Sequence, residues 1–209
     1  GFDVVAFQGT NQNNLKVRHS LNAVPEMIWL KNREASEYWP VYHKGLNGGT
    51  NPEQYFLRLN TNAAETDYNE IWNDTAPTAV DFTVGIQGAS NGADMGMIAM
   101  LFASVDGISK VGSYTGTSAT SFTITTGFQP RFVIIKKTNA VGHWVTFDTL
   151  RGWVTNGLNT ADDQILYMNL NEAQTETDFG TITSDGFVIT DNSNAWFANN
   201  DKYIYYAHA

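Results

Sequence analysis

The chain of 209 residues contains no cysteine, which excludes a disulfide framework, thiolate zinc sites and cysteine nucleophiles. That lack is unusual for a small secreted animal-type module and ordinary for bacterial or viral β-proteins. Basic residues are scarce. Against 21 Asp and Glu stand only 12 Lys and Arg, a formal net charge of −9. This argues against binding a nucleic-acid backbone or docking on anionic lipid. No apolar run is long enough for a membrane-spanning helix, so no membrane insertion is expected. The four histidines, His19, His43, His143 and His208, show neither HxxxH nor HExxH spacing. A GxSxG elbow, a P-loop and a dinucleotide fingerprint are also missing. No metal and no cofactor are expected. The partner classes left are neutral or cationic ligands and other protein subunits.

What is present has a plan. Apolar residues make up 42% of the chain and aromatic residues 13%, as in a globular protein. Gly127 to Gly152 opens with the turn signal Gly127-Phe128-Gln129-Pro130. The apolar run Phe132-Val133-Ile134-Ile135 follows, then Lys136-Lys137, a polar loop, and Trp144-Val145-Thr146-Phe147. That pattern predicts two adjacent strands, the first buried on both faces. Pro25, Lys31 and Trp39 precede Pro130, Lys136 and Trp144 by 105 residues each. The repeat extends both ways. Phe7-Gln8-Gly9 matches Tyr114-Thr115-Gly116; Leu57, Asn60, Ala64 and Thr66 match Leu166, Asn169, Ala173 and Thr175; Met97–Ala103 matches Tyr203–Ala209. The spacing changes only in polar, Gly- or Asn-rich segments, where loops absorb insertions.

The expected architecture is all-β: two tandem, jelly-roll-like β-sandwich modules, 1–105 and 106–209, related by internal duplication. The connection Ser104–Lys110 is short and poor in Pro and Ser, which suggests closely packed modules. Pro40, inside the predicted strand Trp39–Tyr42, points to a sheet edge or a bulge. Ala63 to Trp72 is expected to hold a short helical turn. Gly1 in place of Met, with a strand beginning at Phe2, suggests a piece of a longer chain.

Phe2–Gly9 (FDVVAFQG), His19–Lys31, Trp39–Lys44 (WPVYHK) and Leu59–Thr61 resemble a module repeated in bacteriophage tail-fibre and other virion appendage proteins, especially marine ones. Lys110–Gly116 (KVGSYTG), Gly127–Lys136, Trp144–Arg151, Ser184–Phe187 and Tyr203–Ala207 resemble its second copy. The segment Gly92–Met100 departs from that pattern. The resemblance covers nearly the whole chain. It implies a non-enzymatic structural or receptor-binding role on the surface of a virus particle, with other virion proteins as partners. A homo-oligomer is expected, a trimer by analogy with phage fibres.

Six tryptophans are the conspicuous chemistry. Trp39 and Trp144 occupy matching positions and are expected to pack in the core, as is Trp29. Trp72, Trp153 and Trp196 lie in polar, length-variable segments. Beside Asn and Asp, such rings suit a glycan surface: a ring face stacks on a pyranose while amides and carboxylates bond its hydroxyls. The candidate ligand-binding residues are therefore Trp72, Trp153, Trp196, Asp191 and Asn194. The alternative is that each tryptophan folds back over the end of its own sandwich.

Asp148 and Arg151 suggest an ion pair fixing a turn, with His43 at the position matching Asp148. Lys31 and Lys136 are expected to solvate a strand end. Asp191–Asn194 and Asn199–Asp201 offer oxygens but no calcium-loop spacing, and Asx turns account for them. Glu65, Glu70, Asp162, Asp163, Glu176 and Asp185 include no evident facing pair of the kind glycoside hydrolysis needs. The expected function is host-surface attachment, with glycan recognition through loops. A decoration or connector subunit without ligand is the alternative, and a polysaccharide-degrading enzyme is the third reading.

Overall fold

Alternating apolar and polar stretches become antiparallel strands throughout the computed structural model, which describes residues 1–153, 163–190 and 196–209. The chain divides into two units, Gly1–Ala103 and Ser104–Ala209; the sequence reading set this boundary after residue 105. Unit 1 contains β1 (Phe2–Gln8), β2 (Leu15–Arg18), β3 (Met27–Asn32), β4 (Pro40–His43), β5 (Tyr55–Arg58), β6 (Thr66–Asp67), β7 (Asp81–Val84) and β8 (Gly96–Phe102). It also has two single-turn helices, α1 (Asn69–Trp72) and α2 (Gly88–Asn91). Unit 2 contains β9 (Ser109–Thr115), β10 (Phe122–Thr125), β11 (Phe132–Lys137), β12 (Trp144–Asp148), β13 (Asp163–Tyr167), β14 (Thr175–Thr177), β15 (Gly180–Thr183), β16 (Gly186–Ile189) and β17 (Lys202–His208).

Each unit is a two-layer β-sandwich. In unit 1 a six-stranded sheet, β1-β8-β3-β4-β5-β6, faces the β2-β7 pair. Ile28, Leu30, Tyr42, Phe56, Ala99 and Leu101 from the large sheet pack on Val17, Phe82 and Val84 from the small one. In unit 2 the large sheet runs β9-β17-β11-β12-β13-β14 and the small one β10-β16-β15. Val133, Ile135, Val145, Phe147 and Ile165 pack on Ile124, Ile182, Phe187 and Ile189. The interleaving of β1, β8 and β3 with β2 and β7 is jelly-roll-like; β4, β5 and β6 extend the large sheet as a meander.

The two units share strand order and also register. Ile28 pairs with Tyr42 and Val133 with Phe147. Trp29 pairs with Met100 and Ile134 with Tyr206. Val41 pairs with Leu57 and Thr146 with Leu166. Phe56 pairs with Thr66 and Ile165 with Thr175. Each second pair sits where the sequence offsets place the first. In the small sheets, Val17 opposite Phe82 corresponds to Ile124 opposite Phe187.

Gly9 and Gly116 show why one residue type stands at both places. A Cβ on Gly9 would lie 2.1 Å from the Gly92 carbonyl oxygen, and one on Gly116 would lie 2.1 Å from that of Ala198. The hydrogen bonds there also match. Gly9 N–H donates to Met95 and Asp94 N–H to Gly9; Gly116 N–H donates to Asp201 and Asn200 N–H to Gly116. Asp94 and Asn200 both adopt left-handed backbone, at φ 55° and 66°, which Asp and Asn tolerate better than most residues.

Several expectations are corrected. Pro40 opens β4, an internal strand between β3 and β5, and marks no edge or bulge; a proline at the first residue leaves the ladder intact. Lys31 and Lys136 do not solvate strand ends. Lys31 Nζ donates to the carbonyls of Ala35 and Glu37 at 3.0 Å each, and Lys136 is 1% exposed with Nζ donating to the Lys137 carbonyl. Trp144 is buried, whereas Trp29 and Trp39 are only half-buried. The helical turn expected within Ala63–Trp72 is α1. Strands β6, β14 and β15 are short and polar and gave no readable pattern. Asp148 accepts from the N–H groups of Leu150 and Arg151 and pairs with the Arg151 guanidinium. His43 does the matching work, its Nδ1 accepting from Gly45 N–H at 2.9 Å.

Two predictions follow from this packing. Gly9→Ala and Gly116→Ala should each cost about 1–3 kcal/mol or more by overpacking, read as a lowered denaturation midpoint in urea. Burial pushes the Tyr205 phenol up to about 12 and shifts Tyr42 and Tyr114 in the same direction. Neutral phenols in the folded state stabilise it fully below the unfolded value near pH 10. That contribution is lost as pH rises through about 12. Phenolate absorbance should therefore rise first from exposed tyrosines, and the β circular-dichroism signal should collapse between those limits.

Candidate functional site

β11 leaves the large sheet of unit 2 at Lys137, and β12 re-enters it at Trp144. The connecting loop carries Val141, Gly142 and His143. β13 ends at Tyr167, which pairs with Val145, and β17 begins beside Tyr203, which pairs with Lys137. Together with Ile135 and Trp196 these residues line a cavity of about 220 Å³. Four of the lining residues are aromatic: His143, Tyr167, Trp196 and Tyr203. None of the described lining residues is a carboxylate.

The walls are fixed from behind. The Tyr114 hydroxyl donates to the Trp196 carbonyl at 2.6 Å, and the Tyr203 hydroxyl accepts from Ala198 N–H at 3.1 Å. The Trp196 indole meets Phe147 and Phe179 edge-on, with centroids 5.6 and 5.7 Å away. Tyr114 and Tyr203 stack at 4.9 Å.

The one cation on the wall is already engaged. Lys137 Nζ lies 2.7 Å from the Asp201 carboxylate and 5.7 Å from the Tyr203 ring centroid. Burial pulls the Lys137 ammonium down, but the Asp201 hydrogen bond, the Tyr203 phenol and the Asp201 charge outweigh it and hold the group above the ordinary lysine value. Asn139 steadies Asp201, donating to it at 3.2 Å while accepting from Lys202 N–H at 2.9 Å.

His143 packs against Tyr167, their centroids 4.8 Å apart. Asn169 Oδ1 accepts from Trp144 N–H at 2.9 Å, and Asn169 Nδ2 lies 2.9 Å from His143 Nδ1. The cavity therefore sets aromatic side chains beside polar atoms that have settled partners.

Unit 1 fills the matching positions differently. Tyr38 stands where unit 2 has His143, Arg58 where it has Tyr167, Asn32 where it has Lys137, and Ser90 where it has Trp196. The Arg58 guanidinium lies 4.9 Å from the Tyr38 ring centroid and 4.6 Å from that of Phe56, a closed stack. Asn32 Nδ2 donates to the Gly88 carbonyl at 2.9 Å, tying α2 against β3.

The tryptophans expected to face a ligand fare unequally. Trp72 is 2% exposed and meets Tyr42 edge-on in the core of unit 1. Trp153 is 0% exposed, surrounded by Phe147, Phe179 and Phe187. Neither offers a ring face to a sugar; each folds back onto its own core because its neighbours are aromatic and apolar. Trp196, at 9% exposure, is part core and part cavity wall. Asp191 and Asn194 lie outside the described residues.

Sequence reasoning missed Tyr167, His143, Asn169 and Tyr203 as site residues. The one available signal was the recurrence of Asn60 and Asn169. Of the acids weighed for catalysis, Glu65 accepts from Asn47 N–H, Glu70 from the Tyr68 hydroxyl, Asp163 from Phe179 and Gly180 N–H, and Glu176 from the Gln164 amide; Asp162 lies outside the described residues. Among the described residues no group of three or more His, Asp or Glu could hold a metal ion, and no helix is long and apolar enough to cross a membrane.

The profile of a family described as a domain of unknown function, DUF7483, matches residues 1–209. The chain belongs to this family. No curated protein and no solved structure matches the DUF7483 chain.

Core and cavity roles separate by stability. Trp196→Ala should cost the DUF7483 chain about 3–5 kcal/mol, as for large buried aromatics. Tyr167→Ala, half-buried at a strand end, should cost under about 2 kcal/mol. Urea denaturation of the two variants measures the difference.

Proposed function

We propose that this chain is a non-catalytic recognition module of a bacteriophage virion appendage, attaching the particle to glycans on the host surface through the cavity of unit 2. The observation that carries this reading is the cavity itself. The side chains of Tyr167, Trp196 and Tyr203 line a space of about 220 Å³, smaller than the ~300–1,000 Å³ typical of drug-sized ligands. It is sized for a single sugar unit. Glycosidases need two facing carboxylates, and the described cavity lining supplies none, which favours binding over hydrolysis. The shared strand order and registers of the two units support an origin by duplication, after which one copy carries the ligand site. Binding at one shallow site is weak, and many copies on one particle would raise avidity.

A second reading is an architectural decoration or connector subunit. It draws on β1, an edge strand whose Phe2 and Val4 side chains are 56% and 49% exposed. Apolar side chains along an open edge suit contact with another virion protein.

A glycan array probed with the isolated chain distinguishes these. The proposal expects binding to a subset of host-type glycans. Tyr167→Ala should weaken that binding at least about tenfold, or 1.4 kcal/mol, with a smaller loss of melting temperature than Trp196→Ala. Binding that survives Tyr167→Ala would remove the cavity as the glycan site, and no binding at all would count for the architectural role. Release of reducing ends from the arrayed polysaccharides would overturn both.

A further inference from the structure

The glycan reading leaves open which chemistry the cavity selects, and the hydrogen bonds around His143 answer that. A backbone N–H can only donate, so the Trp144 N–H at 2.9 Å fixes Oδ1 as the Asn169 atom facing it. The Asn169 amide nitrogen is thereby turned to His143 Nδ1, 2.9 Å away. An amide NH₂ also only donates, so Nδ1 must be the unprotonated acceptor. The neutral imidazole then carries its proton on Nε2, an atom with no partner among the described residues. The ring lines the cavity and packs against Tyr167.

Resting on the glycan reading, we propose that the unit 2 cavity takes one neutral hexopyranose, seated among its aromatic lining residues and read through a hydroxyl that accepts from His143 Nε2–H. Asn169 is the positioning residue that holds this tautomer. Charge narrows the class to neutral sugars. None of the described lining residues is a carboxylate that would hold a cationic ligand. The pairing of Lys137 with Asp201, together with the net charge of −9, leaves little attraction for an anionic one.

The same logic gives one site per chain. In unit 1 the backbone half of the device is present, with Trp39 N–H donating to Asn60 Oδ1 at 3.2 Å. The next residue in the relay is Tyr38, however, and Arg58 covers it. The orienting asparagine occurs in both units, but the imidazole it orients occurs only in the second.

The test combines a ligand-independent readout with a ligand-dependent one. Nitrogen-15 NMR of the imidazoles should show His143 protonated on Nε2 and bare on Nδ1. Asn169→Asp keeps an acceptor for Trp144 N–H but sets a second carboxylate oxygen against Nδ1, which should move the proton there. Methyl glycosides of glucose, galactose, mannose and N-acetylglucosamine serve as probes, with a methyl glucuronoside and choline as charged controls. At least one neutral glycoside should saturate at one per chain, with binding at least tenfold weaker in His143→Ala and in Asn169→Asp, both still folded. An Nδ1-protonated His143 in the native chain, two sugars per chain, or tighter binding of either charged control would overturn the proposal. Array binding untouched by both variants would sink this device and leave glycan recognition standing. Absence of binding to every arrayed glycan and every probe would remove both.

Discussion

The last strand of each unit is hydrogen-bonded along both of its edges, β8 between β1 and β3, β17 between β9 and β11. This double pairing joins the start of a unit to its end, a long-range closure whose entropic cost only a buried core can offset. It also sets the register, and register sets everything that faces inward. With Met100 opposite Val4 on one side and Trp29 on the other, Ala99 and Leu101 point to the core of unit 1. A slip of one residue would exchange them for Ile98 and Met100 and turn the apolar face outward. The close approach at Gly9 and Gly116 belongs to the same closure, since it docks the segment leading into the last strand against the end of the first.

On this shared frame the units differ where side chains meet no strand partner. At the junction of the third, fourth and fifth strands, unit 1 stacks Arg58 on Tyr38 and Phe56 and brings in α2. Unit 2 sets Tyr167 against His143 and leaves a cavity backed by Trp196. A guanidinium sandwiched by rings is a closed contact. An imidazole leaning on a phenol, with only Nδ1 engaged among the described residues, is an open one. The frame tolerates both because neither changes a ladder hydrogen bond, so one sandwich design can carry different side chains at the same junction.

The sequence by itself determined most of the strand pattern, though not β6, β14 and β15, and the matching offsets of the two units, because these rest on period-two burial and on glycine and asparagine at fixed offsets, which are local or repeat-local signals. It also marked Asn60 and Asn169 as equivalent, and their shared task of accepting the N–H of Trp39 and Trp144 is the physical reason. What only the tertiary structure decided is where the loop residues end up. Trp72 and Trp153 share the polar surroundings of Trp196 in sequence, yet they are sealed in cores while Trp196 borders a cavity. Lys31 and Lys136 look like surface charges until their ammonium groups are seen on backbone carbonyls. The His143 tautomer depends on an asparagine 26 residues away. Burial and proton placement arise from contacts between distant segments, and no local pattern of residues encodes them.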